Sequence, residues 1–206
     1  MGRLQSKIQE HLMVHWWVYL SVGICFIAGL VFGSLAVNTL DDGQISSLEK
    51  FLEAGLDQFS EDLNMAGSAK QALLKNLVTL NKLFILGLTV IGFPLILTVI
   101  FTRGFALGFT TVFLIQEKSL VGGALSLLAI IPPHLLSLPA YILAAVAAIN
   151  FTIYLIRGCD RSHGTPLVKY FLGYLLFMLA LAFLLIGAAF IEGYLSPLAI
   201  RMLTWT

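Results

Sequence analysis

Four long stretches without a single Asp, Glu, Lys or Arg constrain this chain more than anything else in it. They run from Trp16 to Val37, Leu83 to Thr102, Ser119 to Ile156 and Tyr170 to Ile191. A transmembrane helix needs about 20 consecutive apolar residues, and each stretch reaches that length. Composition agrees: 59% of the 206 residues are hydrophobic and 11% are charged, against about 25% charged in soluble domains. The sequence therefore reads as an all-α polytopic membrane protein, one integral membrane domain over residues 1–206. A net charge of +1 provides no bulk attraction for nucleic acid. Cys25 lies in an apolar run and Cys159 in a basic loop. Two cysteines so placed suit neither a disulfide nor a zinc cluster. The first apolar run is longer than the roughly 7–15-residue core of a signal peptide, so it is expected to stay as an anchor.

The chain is expected to divide as follows. Residues 1–15, with hydrophobic residues and two histidines at helical spacing, form an interfacial helix, and span 1 covers 16–37. Trp16, Trp17 and Tyr19 sit where aromatics gather at the membrane boundary. Residues 38–82 form an outer, acidic, amphipathic segment, and span 2 covers 83–102 up to Arg103. Gly104 to Gln116 makes only about 20 Å of helix at 1.5 Å per residue. It and Ser119 to Ile131 are therefore expected as short re-entrant helices within a third span over 104–133, with Pro132-Pro133 as the break. Span 4 covers 134–156, a cytoplasmic basic loop 157–166, span 5 167–191 and an outer tail 192–206. Placing Arg157, Arg161 and Lys169 on the inside, with Arg3 and Lys7, satisfies the positive-inside rule and gives five spans.

Three groups of residues are candidates for function. In the outer segment Ile45, Leu48, Leu52, Leu56, Phe59 and Leu63 recur at helical spacing, with Glu53, Asp57 and Glu61 on the opposite face. Such a stripe serves either as a cover for the chain's own membrane domain or as a docking surface for a partner. A second group is Pro132, Pro133, His134 and Pro139, together with Glu192 at the end of the last run. An ionisable residue inside a span is a functional candidate by default. No Asp or Glu lies near His134 in sequence, so the motif reads as a packing break. Glu192 is expected at the outer interface, or turned inward toward Arg103 or His134. The third group is two GxxxG patterns, Gly29 with Gly33 and Gly104 with Gly108, which allow close helix approach. They serve packing within the chain or a homodimer. The sequence has no GxSxG, HExxH or phosphate-loop pattern. No catalytic residue, metal site or cofactor is expected, and the lipid bilayer is the surrounding solvent.

The order of several short motifs resembles a known family. "FGSLAVNTL" closes span 1; "LLKNLVTLNKLFILGLTVIGFPLIL", "TRGFALGF", "IPPHLLSLPAYILAAVAA" and "IEGYLSP" follow. Together they resemble stage II sporulation protein M across nearly the whole chain. Relatives tend to carry a glycine after the Pro-His and an acid before the Leu-Pro-Ala, where this chain has Leu135 and Ser137. The resemblance implies a five-span membrane scaffold without catalysis of its own. It implies assembly with two peptidoglycan hydrolases, the stage II sporulation proteins D and P. It also implies a place in the septal and engulfing mother-cell membrane during forespore engulfment. The alternative from a different class is a permease-like subunit of a transporter paired with a cytoplasmic ATPase, because broken helices are typical of transporters.

Overall fold

Nothing in the first 36 residues breaks a helix: there is no proline and no adjacent pair of glycines. In the computed structural model, Gly2–Ala36 is accordingly one 35-residue helix, α1. The expected interfacial helix and span 1 are continuous. The structure describes residues 2–41, 43–48, 50, 65–125, 131–156 and 167–204, and no strand occurs among them. A 3₁₀ turn over Val37–Thr39 tightens the exit from α1. Residues 43–48 are helical, and the hydroxyls of Ser46 and Ser47 both donate to the Gly43 carbonyl.

Residues 83–102 are not one span. Helix α2 covers Met65–Gly87 and helix α3 covers Gly92–Leu125. A turn over 88–91 divides the expected span, closed by Leu88 N–H to Ile85 O and Gly92 N–H to Thr89 O, each 3.1 Å. A Cβ at Gly92 would strike the Leu86 carbonyl oxygen, so the turn requires glycine. Pro94 follows in the first turn of α3, where a missing N–H is harmless. Arg103 therefore lies inside α3 and ends nothing.

The prolines also act differently from expectation. Pro132 and Pro133 open helix α4, Ile131–Ile156, instead of ending a re-entrant helix. Their missing N–H groups fall in the first turn, which has no partners for them anyway. Residues 126–130 lie outside the described residues. Pro139 is inside α4, so Leu138-Pro139-Ala140 does not begin it. Helix α5, Leu167–Thr204, runs 38 residues and carries the expected outer tail as continuous helix.

Contacts fix the helix directions. Gly29 meets Phe101 and Gly33 meets Phe105, so α1 and α3 run parallel. Asn76 pairs with Tyr141 and Gly87 with Thr152, so α2 and α4 are parallel. Gly193 meets Ala69 and Tyr174 bonds Phe84, so α2 and α5 are antiparallel. By length and apolarity four helices qualify as membrane spans, within 16–39, 92–116, 137–156 and 167–191. Helix α2 does not qualify, since Lys70, Lys75 and Lys82 dilute it. Yet α1 and α3 can both cross in the same direction only if the chain returns between them. The 23 residues of α2 make about 35 Å of helix, enough for the roughly 30 Å hydrocarbon core. The fifth crossing is thus α2, displaced toward the N-terminus from its expected place and beginning at Met65, inside the range expected for the outer segment.

The helices alternate in direction, so the start of α1, the 88–91 turn, the end of α4 and the start of α5 share one face. Arg3 and Lys7 of α1 and Lys169 of α5 belong to the ends at that face, the side that the positive-inside rule assigns to the cytoplasm. Helix α4 is the central element: 50% of its membrane window is buried, against 22–33% in the other three. Val22, Leu83, Ile96, Ile100, Ile149, Phe151 and Leu185 form the core around it. Thr152, fully buried, donates its hydroxyl to the Gly87 carbonyl at 3.0 Å. It satisfies one of the carbonyls that the end of α2 leaves open.

Candidate functional site

Arg103 sits eleven residues into α3, about 17 Å along the helix at 1.5 Å per residue. That places a cation near the middle of the bilayer. Its Nη2 donates to the Lys75 carbonyl of α2 at 3.3 Å. Its guanidinium carbon lies 4.9 Å from the ring centroid of Tyr141 on α4, within the range of a cation–π contact. One side chain thus ties three helices. Around it the interior is polar. Tyr141 and Asn76 are each 3% exposed, and the tyrosine hydroxyl is 2.7 Å from Asn76 Oδ1. Thr79 donates its hydroxyl to the same Lys75 carbonyl at 3.0 Å. Ser137, one turn before Tyr141 on α4, is also buried. The Asn76 Nδ2 is buried without a partner. Among the described residues no carboxylate faces Arg103.

The helices that hold this clasp are themselves positioned by glycine. A Cβ at Gly29 or Gly33 would strike the carbonyl oxygen of Phe101 or Phe105. One at Gly104 or Gly108 would strike that of Phe26 or Leu30. The two GxxxG faces meet each other, backbone against backbone. Cys25 adds a contact from its thiol to the Leu97 carbonyl at 3.3 Å. Farther out, Gln116 donates to Asn38 Oδ1 at 2.9 Å and joins the outer end of α1 to α3. Both glycine faces are thus occupied by packing within the chain.

The other candidates from sequence do not converge on the clasp. Ile45 and Leu48 are half-buried in the helical stretch 43–48 on the outer side. Leu52, Glu53, Leu56, Asp57, Phe59, Glu61 and Leu63 lie outside the described residues. Pro132, Pro133 and His134 occupy the first turn of α4 at its outer end. Pro139 is exposed on the same helix. Glu192 belongs to α5 beside Gly193, which abuts Ala69 of α2. The side chains of His134 and Glu192 lie outside those described. Sequence reasoning missed Asn76, Tyr141 and Lys75 as a unit and took Arg103 for a span boundary. One signal was available: in "ALLKNLVTLNKLF" the apolar residues keep helical spacing around Lys75 and Asn76.

Residues 22–197 match the family model described as stage II sporulation protein M. No curated protein and no solved structure matches the chain.

Proposed function

The chain belongs to the stage II sporulation protein M family, and from that premise we propose that it is a non-enzymatic membrane scaffold of the engulfment complex. In this reading it recruits peptidoglycan hydrolases, the stage II sporulation proteins D and P, in the septal and engulfing mother-cell membrane. The observation that carries the reading is the parallel pairing of α1 and α3. It sets the end of α1, after which the acidic, amphipathic stretch follows in sequence, on the face opposite the start of α5. Cell-wall hydrolases act on that outer side. Five helices locked by backbone-level glycine contacts and the Arg103 clasp form a stiff base from which such a segment can act. Ile45, Leu48 and the residues that continue their stripe supply apolar contact, and Glu53, Asp57 and Glu61 supply charge. Reversing those three acids to lysine should reduce co-purification of the two hydrolases while leaving the membrane level and melting of the protein unchanged. Undiminished co-purification would eliminate the outer segment as the docking surface.

A second reading, a permease-like subunit with a cytoplasmic ATPase, draws on one observation. Arg103 and Asn76 form a polar centre at membrane depth, the usual setting of a transport site. A cytosolic ATPase that co-purifies with the detergent-extracted protein, in place of the hydrolases, would favour it.

A further inference from the structure

The bundle has an open seam between α1 and α5, floored by α4. A cavity of about 320 Å³ lies there, within the size range of small-ligand sites. Val146 and Asn150 contribute to its floor, and Tyr19, Lys169, Gly173 and Phe177 to its walls. The lining is graded with depth. Lys169 is two residues into α5, about 3 Å from its cytoplasmic end. Asn150 is six residues from the end of α4, about 9 Å in. Val146 and Phe177 are each ten residues from the same face, about 15 Å in. A cation stands at the mouth, an amide below it and apolar side chains below that. The Asn150 Oδ1 is buried without a partner. Trp16 and Trp17, exposed on α1, mark the headgroup level beside the mouth.

This sequence of groups mirrors a glycerophospholipid: phosphate outermost, glycerol and its esters next, acyl chains innermost. We propose that the seam binds one anionic phospholipid of the cytoplasmic leaflet. Its phosphate meets Lys169, its glycerol region lies beside Asn150, and an acyl chain runs along Val146 and Phe177. The sign of the charge follows from Lys169, the one charged side chain that lines the cavity. The size excludes a protein helix, which is about 10 Å across even before it lengthens.

Native mass spectrometry of the full-length protein in mild detergent tests this, with phosphatidylglycerol and phosphatidylcholine of equal chain length as probes. Phosphatidylglycerol should be retained several-fold more than phosphatidylcholine, and inorganic phosphate should not displace it. Lys169→Gln, a change at an exposed side chain, should lower phosphatidylglycerol retention to the level of phosphatidylcholine. Gly173→Phe should exclude both lipids, because Gly173 lines the cavity and a Cβ there meets nothing within 4 Å, which leaves the ring room to enter it. Circular dichroism verifies that this variant is folded, and the Lys169→Gln comparison stands by itself if it is not. Equal retention of the two lipids with no effect of Lys169→Gln would overturn the proposal. So would undiminished lipid on folded Gly173→Phe, or displacement by phosphate alone.

Discussion

Gly104→Ala is the sharpest test of how this bundle is held. The added methyl would strike the Phe26 carbonyl oxygen, with Leu30 N at 3.1 Å and the Phe26 carbonyl carbon at 3.2 Å. All three are backbone atoms of α1, so no side chain can swing aside and the two helices must separate. Overpacking of this kind costs about 1–3 kcal/mol. Close helix approaches of this kind are also held by Cα–H···O contacts worth about 0.5–1 kcal/mol each, and separation loses one. Alanine returns about 0.5–1 kcal/mol because it is less flexible than glycine in the unfolded chain. The net loss is about 1–3 kcal/mol, or about 2–12 °C in melting temperature for a chain of this size. Gly187→Ala is the matched control, since a Cβ there meets nothing within 4 Å, and it should melt at or slightly above the parent. Thermal unfolding in one detergent, followed by circular dichroism, reads both. If Gly104→Ala melts at or above Gly187→Ala, the glycine contacts do not set the α1–α3 distance and the reasoning fails.

Two further outcomes follow from the clasp and the topology. Tyr141→Phe should destabilise by about 1–3 kcal/mol, the cost of stranding a buried polar atom, here Asn76 Oδ1. Arg103→Met should cost less, because removing a charge from mid-bilayer returns about 2.5–3.5 kcal/mol against the lost carbonyl bond and cation–π contact. The reverse order in the same melting assay would show that the guanidinium, not the Tyr141–Asn76 pair, is the structural centre. For topology, cysteines at Val90, Ser47 and Arg103, in a chain with Cys25 and Cys159 replaced, can be probed with a membrane-impermeant maleimide. Val90→Cys should react only from the cytoplasmic side, Ser47→Cys only from outside and Arg103→Cys from neither. Labelling of Val90→Cys from outside would mean that α2 does not cross.

The helical class and the strongest spans were legible because long uncharged runs permit little else. Residues 137–156 and 167–191 fall where hydropathy puts them. The second crossing was misplaced because a charge was given more weight than a turn signal. Gly87, Gly92 and Pro94 stood in the sequence as a helix stop and start, while Arg103 read as the boundary. A cation ends a span only when nothing in the bundle can accept it. Arg103 finds the Lys75 carbonyl and the Tyr141 face, partners that lie 28 and 38 residues away in sequence and leave no local trace. The prolines mislead for a similar reason. Pro132-Pro133 is equally compatible with the end of one helix and the start of another, and only the helix that follows distinguishes them.

Helix α2 shows why hydropathy alone undercounts this fold. Its buried face is Ala72, Asn76, Thr79, Leu80, Leu83 and Gly87. Small and hydrogen-bonding residues of this kind pack helices in membranes, where apolarity gives no preference for protein over lipid. Its lysines fall on the exposed side. Lys82 is five residues from the cytoplasmic end and Lys70 five from the outer one, each about 8 Å from a boundary and within reach of a snorkelling side chain. Lys75 lies near the centre, beside Arg103, and has the longest way to water. A helix with that lysine gains little from inserting by itself. It gains from α4 and α5, against which its buried face closes through Tyr141, Thr152 and Tyr174. Both partners come later in the chain than α2. Its position in the membrane is therefore set by tertiary contacts across 65 to 90 residues, and a local window of sequence does not contain the atoms that decide it.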